Sequence, residues 1–371
     1  MGASQQPVVF YREGDADPGA LAGQAVAVLG YGNLGRSVAL NLRDSGLPVT
    51  VGNADDGYRR AATGDGFQVR DIAAAAAQAD VAMLLLPDEV IPACFAAEVA
   101  PNLRPGAAVC FASGYALAYG LVEPPATADV LLLAPRMLGA QVRASFLDGR
   151  GFVSYLSVER DASGTARSRL LALALAVGAL RRGALGLDAA GEALLDLFVE
   201  QSVGAWLGTA LQLAFQVGVQ AGLPAEALVL ELYMSGEMAA TLQAFADTGF
   251  MRSVALHGPT AAYGGFLRTL AIDRAAMQRQ FQETLQDIRG GAFAARLQAE
   301  QAAGFPTMAT IRQLVGGDDP MSAAEAGVRA ALGASPSGRG RTAAAPVATR
   351  PAGPPGAGTS GARGAGPTGR G

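Results

Sequence analysis

Ala25-Val26-Ala27-Val28-Leu29-Gly30-Tyr31-Gly32-Asn33-Leu34-Gly35 is the stretch that decides the fold of this chain. Ala25 to Leu29 is a short apolar run carrying two valines, a strand signature, and the glycine pattern after it opens a helical continuation through Arg43. Strand, glycine turn and helix in that order make a dinucleotide-binding unit. Gly30 permits the tight turn, Gly32 lets a pyrophosphate approach the backbone, and Gly35 lets helix and strand pack closely, so that phosphate sits on the helix N-terminus. A second strand, Pro48 to Gly52, stands where that unit requires it. At its end, Asn53-Ala54-Asp55-Asp56 offers an acid to a ribose 2′-hydroxyl, whereas Arg59 and Arg60 offer charge to a 2′-phosphate; NADH and NADPH both stay open.

Working outward, the run from Asp80 to Leu86 reads as a strand ending in Pro87-Asp88, Ala107 to Ala112 as one ending in Ser113-Gly114, and Ala128 to Ala134 as one closed by Pro135-Arg136. Strand C-terminal ends in an open parallel sheet face the ligand crevice, which places Asp88, Ser113 and Arg136 where cofactor or substrate would meet them. After Gly164 the pattern turns helical, from Ala166 to about Ile311, with breaks at Gly183 to Gly191, Gly222-Leu223-Pro224 and Gly258-Pro259. The expected architecture is an α/β Rossmann-like nucleotide-binding domain over 8–187 followed by an all-α domain over 188–328. Residues 333–371 contain no aromatic, no leucine and no acid, so they cannot bury enough apolar surface to offset the entropy of ordering and read as a disordered tail.

The totals limit the function classes. A chain of 371 residues with 50% hydrophobic and 16% charged residues has material for a sizeable globular core. Its net charge of −4 gives no electrostatic case for nucleic acid. Cys94 and Cys110 lie in apolar surroundings without CxxC spacing, which reads as reduced thiols and a cytoplasmic setting. The start of the chain lacks a secretory pattern, and the longest apolar runs, such as Leu170 to Leu180, are too short to span a bilayer, so no membrane partner is expected. The sequence contains no lysine, which excludes a lysine Schiff base or a lysine general acid, and its single histidine, His257, beside a Gly-Pro break, reads as structural.

The segment Leu195-Asp196-Leu197-Phe198-Val199-Glu200-Gln201 reads as a buried helix with two carboxylates four residues apart on one face. Such a pair either faces solvent or holds a hard divalent cation that offsets its desolvation. From these residues alone both readings stand.

Several of these stretches carry a family likeness. Tyr31 to Gly35 running on to Ala39-Leu40-Asn41-Leu42-Arg43-Asp44-Ser45-Gly46, then Leu85-Leu86-Pro87-Asp88-Glu89-Val90, then Ala100-Pro101-Asn102-Leu103, then Asp196-Leu197-Phe198-Val199-Glu200-Gln201, resemble ketol-acid reductoisomerase of the short, single-knot class, collinearly from about Val8 to Gln313. The resemblance implies an NAD(P)H- and Mg²⁺-dependent enzyme of branched-chain amino acid biosynthesis that shifts an alkyl group within a 2-aceto-2-hydroxy acid and reduces the resulting 2-keto acid. It further implies a knotted helical domain and a homodimer with shared sites, in which the aspartate matching Asp196 bridges two ions, the glutamate matching Glu200 completes one, and the glutamate matching Glu231, supplied by the other subunit, helps hold the second.

The candidate catalytic residues are therefore Asp196, Glu200, Glu231, Arg136 and Ser113, the first three also as metal ligands. The candidate cofactor contacts are Gly30, Tyr31, Gly32, Asn33, Leu34, Gly35, Asp55, Arg59, Asp88 and Gly139. Departures from the family pattern accompany the match: Ser235 stands at a fourth metal carboxylate, Ser113 at a histidine, Arg136 at a lysine, Gly258 at a substrate-binding serine and Ala54 at a phosphate-gripping arginine. Arginine for lysine is not conservative at a point-charge site. The alternatives this leaves are a divergent reductase acting on another carbonyl or imine compound, and a nucleotide-binding dimer without catalysis.

Overall fold

The computed structural model describes residues 8–253, 258–315 and 319–333. His257, and the expected disorder of the segment beyond Gly333, lie outside the described residues.

A nine-stranded sheet organises the first half. Its strands are β1 (Phe10–Tyr11), β2 (Val26–Leu29), β3 (Val49–Gly52), β4 (Gln68–Arg70), β5 (Val81–Leu84), β6 (Ala108–Phe111), β7 (Asp129–Pro135), β8 (Ser154–Arg160) and β9 (Ala184–Gly186). They lie in the order β1-β9-β8-β7-β6-β5-β2-β3-β4. From β4 to β7 all neighbours are parallel, whereas β7 pairs with β8 and β1 with β9 antiparallel. The helices of this half are α1 (Asn33–Asp44), α2 (Gly57–Gly64), α3 (Ile72–Gln78), α4 (Ile91–Cys94), α5 (Tyr115–Ala118), α6 (Gly139–Leu147), α7 (Ala166–Val177) and α8 (Ala179–Arg182).

Continuous apolar runs suit strands covered on both faces. Along β2, Val26 and Val28 join one buried cluster with Leu42, Met83, Leu131 and Leu173, while Ala27 and Leu29 join another with Ile72, Leu84, Phe95 and Phe111. The alternation follows from the period of two along a strand. Each large side chain buried this way contributes about 1.5–3 kcal/mol, and every residue of the central strands β2, β5 and β6 is buried.

The sheet extends further than the sequence reading had it. β9 falls inside the break read at Gly183 to Gly191, where no strand was expected, because Gly183 (φ 104°) turns the chain out of α8 and back onto β8. After Leu187 every described element is helical: α9 (Ala189–Val199), α10 (Ala205–Gln220), α11 (Ala225–Val229), α12 (Glu237–Thr248), α13 (Pro259–Ala271), α14 (Arg274–Arg289), α15 (Ala292–Ala302), α16 (Pro306–Val315) and α17 (Pro320–Ala331).

Three local findings correct the helical reading. A wider π-type turn, Glu200–Gly204, joins α9 to α10 in one helical run of 32 residues, Ala189–Gln220. By length and composition alone that run is sufficient to cross a membrane, although the apolar stretches had read as too short. The segment around Asp196 is also less buried than its composition suggested, with Leu195 39% and Val199 46% exposed. Finally, a π-type turn at Leu230–Met234 and Gly236 at φ 86° interrupt the helical stretch read between the breaks at Gly222-Leu223-Pro224 and Gly258-Pro259, so Glu231 and Glu237 sit on separate elements.

Candidate active site

The strand order reverses at β2, which is flanked by β3 on one side and β5 on the other. Ligands in open α/β sheets bind at such a switch point, outside the strand C-termini. Gly30 to Gly35 occupies it. Gly30 has φ 99°, and a Cβ there would stand 2.6 Å from the Leu85 carbonyl oxygen; a Cβ on Gly35 would stand 2.0 Å from the Gly30 oxygen. Gly32 has nothing within 4 Å, and it is the N-cap of α1. The cradle is thus closed behind Gly30 and Gly35 and open at Gly32, which fits a pyrophosphate approaching the helix N-terminus. Gly139, first residue of α6, seals the other side, since its Cβ would fall 2.7 Å from the Asn33 and Leu34 backbone. Arg143 ties α6 to α1 through Asn41 Oδ1 at 2.9 Å and through Asp44.

Tyr31 contributes only backbone to this cradle. Its ring is buried edge-on to Phe67, its hydroxyl donates to Asp65 at 2.8 Å, and its N–H donates to Asn53 Oδ1 at 2.8 Å. At the end of β3, Asp56 accepts from Tyr58 and Arg59 N–H groups and starts α2, while Asp55 is exposed. Arg59 is turned onto the Asn53 carbonyl at 2.9 Å and Asp71 at 2.7 Å.

A second group of residues gathers at the ends of β5, β6 and β7. Arg136 follows β7, its N–H bonded to the Val153 carbonyl at 2.9 Å and its guanidinium 5.1 Å from the Tyr155 ring centroid. Nη1 donates to Glu192 Oε1 at 2.8 Å, and Nη2 donates to Asp196 Oδ1. Glu192, 2% exposed, accepts a further bond at 2.7 Å from Gly114 N–H. Burial pushes Glu192 above the usual carboxylate range against the pull of that N–H and of Arg136. A Cβ on Gly114 would stand 2.1 Å from the Ala189 carbonyl oxygen, so only glycine lets α9 come this close to the end of β6.

Asp88 lies on the same side. Its carboxyl is pushed up to about 6 by burial, opposed by the Ser113 hydrogen bond and reinforced by the charges of Glu89, Asp196 and Glu200. Ser113 Oγ donates to Asp88 at a long 3.4 Å and accepts Tyr115 N–H at 3.2 Å, a turn-forming role. A cavity of about 290 Å³ opens beside Asp88, walled by Glu89, Tyr115, Leu121, Leu297 and Gln298. Glu200 is also raised, first by burial and then by Asp196, whose backbone oxygen accepts the Glu200 N–H.

The fold therefore brings Arg136, Asp196, Glu200, Asp88 and Ser113 to one crevice. Glu231 is exposed in its π-type turn. Among the described residues no group of three or more His, Cys, Asp or Glu side chains is arranged to hold a metal ion. With Asp196 already engaged by Arg136, one chain alone does not fit a divalent cation. Glu192 was missed in the sequence. Its spacing of four from Asp196 was readable, but its importance depends on Gly114 and Arg136, distant in sequence.

Comparison with known proteins agrees with this construction. A family model for the NADPH-binding domain of acetohydroxy acid isomeroreductase matches residues 20–183, and one for the C-terminal domain of ketol-acid reductoisomerase matches residues 190–333. The chain belongs to the ketol-acid reductoisomerase family. A solved NADH-preferring ketol-acid reductoisomerase from an uncultured archaean superposes with a TM-score of 0.83 at 30% identity, covering 87% of this chain and 98% of that one. Two structures share the fold alone. A semialdehyde dehydrogenase NAD-binding protein from Cupriavidus necator, solved with calcium and NAD, has a TM-score of 0.50 at 19% identity over 70% of this chain and 99% of its own. An oxidoreductase from Jannaschia sp. has 0.52 at 15% over 72% and 95%. As a ketol-acid reductoisomerase family member the chain is a nicotinamide-dependent enzyme, and the Gly30–Gly35 cradle is where its structure fits that cofactor.

Proposed function

We propose that this chain carries out ketol-acid reductoisomerase chemistry in branched-chain amino acid biosynthesis, shifting an alkyl group within a 2-aceto-2-hydroxy acid and reducing the resulting 2-keto acid. The observation that carries the proposal is one juxtaposition. Gly139 abuts the cofactor loop, and Arg136, just before it in the chain, stands in an ion group with Glu192 and Asp196. The loop after β2 and the residues after β7 thus approach each other across the C-terminal ends of β5 and β6.

The cofactor we propose is NADH. Asp55 is exposed at the end of β3 to meet a ribose 2′-hydroxyl, and Arg59, one of the two arginines read as candidates for a 2′-phosphate, is spent on Asp71. When bound, the reduced nicotinamide supplies the hydride. The chain's part is to hold the pyrophosphate on Gly32 and the start of α1, and to keep Arg136 fixed by Glu192 beside the reacting carbonyl.

Magnesium belongs to the proposal only with a second copy of the chain, Asp196 and Glu200 coming from one and Glu231 from the other. The homodimer is supported by the apolar side chains that α9 to α13 leave exposed, among them Val203, Leu207, Leu213, Leu242 and Phe266. A cytoplasmic location and a knotted path for the helical half are parts of the same reading. A second reading, a reductase that has lost the alkyl shift, is favoured by Arg136 standing on Asp196 and by Ser113 being spent on a turn.

Incubating the full chain with 2-acetolactate, Mg²⁺ and either cofactor tests the first reading. NADH should be oxidised with kcat/KM about tenfold above NADPH, the size of one charge-assisted hydrogen bond. Oxidation of neither would leave only the second reading.

A further inference from the structure

We propose that the Arg136 guanidinium, and not a divalent cation, holds the carbonyl oxygen during hydride transfer, so that reduction of the 2-keto acid proceeds without metal. The substrate class rests on the reading above; the assignment of the electrophile does not.

Four observations converge on it. First, the cation place beside Asp196 is already filled, because Nη2 of Arg136 donates to Asp196 Oδ1. Second, the guanidinium is fixed in place. Nη1 is bonded at 2.8 Å to Glu192, itself 2% exposed and held by Gly114 N–H, and the plane lies 5.1 Å from the Tyr155 ring centroid. A donor held this way costs little reorganisation when charge develops on an oxygen. Third, the two bonds use one hydrogen of each terminal nitrogen. Among the described residues, Nε and the second hydrogens are unspent, and the side chain is 29% exposed. Fourth, the distance to the cofactor is short. Gly139 touches the Asn33–Leu34 backbone, and the link from Arg136 to Gly139 spans at most about 10 Å.

The carbonyl carbon receives hydride, with its electron pair, from the dihydronicotinamide that the family's activity supplies. The carbonyl π pair moves onto oxygen, where the guanidinium N–H groups bind the developing negative charge. That oxygen then takes a proton from water, and the products are a 2-hydroxy acid and the oxidised cofactor. Glu192 and Asp196, each bonded to one terminal nitrogen, keep the guanidinium aimed throughout.

The test uses the full chain freed of metal with EDTA, NADH, and 3-hydroxy-3-methyl-2-oxobutanoate, the keto acid that an alkyl shift in 2-acetolactate yields. Reduction in EDTA should run within about threefold of the rate with Mg²⁺, and R136K should lower kcat roughly 10²-fold with KM for NADH unchanged, as for loss of a preorganised donor. Because removing Arg136 leaves Glu192 buried and unpaired, R136Q/E192Q provides the folded control. It should show the same fall in kcat, with its unfolding temperature near that of the parent. A readout independent of turnover is Mn²⁺ titration followed by electron paramagnetic resonance. R136Q/E192Q, with Asp196 released, should bind Mn²⁺ at least about tenfold more tightly than the parent. Reduction abolished by EDTA and restored by Mg²⁺, full kcat in R136Q/E192Q, or unchanged Mn²⁺ affinity would each overturn the proposal. If 2-acetolactate goes unconsumed while the keto acid is reduced in EDTA, the proposed function fails and this inference stands. If both substrates react only with Mg²⁺, the reverse holds.

Discussion

Around Gly30 to Gly35 every close approach is made within one chain: Leu85 against Gly30, the Gly30 oxygen against Gly35, the Asn33–Leu34 backbone against Gly139. In α12 and α13, by contrast, no residue is buried at all, and Leu242, Tyr263, Phe266 and Leu270 are each about half exposed or more. The nucleotide cradle is finished by local packing, whereas α12 and α13 present an apolar surface that packing within the chain does not consume. A large exposed apolar surface marks an interaction site. The comparison teaches that nucleotide binding and complete catalysis should respond to different perturbations.

The sharpest way to break it is inside the cradle. Gly35→Ala places a methyl group 2.0 Å from the Gly30 oxygen, which should cost about 1–3 kcal/mol of stability and weaken NADH binding by well over tenfold. Gly32→Ala meets nothing within 4 Å and should leave the unfolding temperature unchanged while NADH binding falls. Thermal unfolding and fluorescence titration read both; equal effects of the two substitutions would mean that the open side of the cradle has been misassigned.

A smaller effect on the nucleotide, but a large one on assembly, is expected in the other half. Leu207 is 43% exposed on α10. Leu207→Asp should halve the particle mass measured by light scattering and remove turnover of 2-acetolactate, with NADH affinity within about twofold of the parent. A fall in NADH affinity as large as the fall in turnover would erase the distinction between the halves.

The smallest expected effect lies where they meet, at Asp88. Its folded pKa of about 6 lies above the ordinary 3.8, so the fold binds this proton more tightly than the unfolded chain does. The proton's stabilising contribution is present below about pH 4 and is lost as pH rises through about 6. Asp88→Asn should therefore raise the unfolding temperature at about pH 8, with the gain vanishing near pH 4. A gain independent of pH would show that burial is not what raises this carboxyl.

How much of this was legible depends on how far each interaction reaches along the chain. The strand–glycine–helix unit could be read because its causes are local: a two-residue alternation, a tight turn and a helix start within eleven residues. Val26 and Val28 facing one cluster, with Ala27 and Leu29 facing the other, needed only the strand period. The role of Glu192 could not be read this way. It is fixed by Gly114, 78 residues earlier, and by Arg136, 56 residues earlier, and neither contact leaves a periodic trace. Asp196 was legible as a carboxylate on a helical face, but its engagement by Arg136 was not. The exposure of Leu195 and Val199 was misjudged for a related reason: apolar composition reports that a surface wants covering, not whether the same chain supplies the cover.

The pairing of β1 with β9 sets an order of events during synthesis. Phe10 registers with Leu185 and Tyr11 with Ala184, so the first described strand has no partner until Ala184 and Leu185 have left the ribosome. Contacts of such sequence separation are slow to close, since a long loop must be ordered first. Until then the Phe10 edge is a free strand end beside nascent chain, exposed to mispairing. The sheet's outer border is thus completed only as the segment leading into α9 emerges, which places the start of α9 immediately after the last stitch of the nucleotide-binding half.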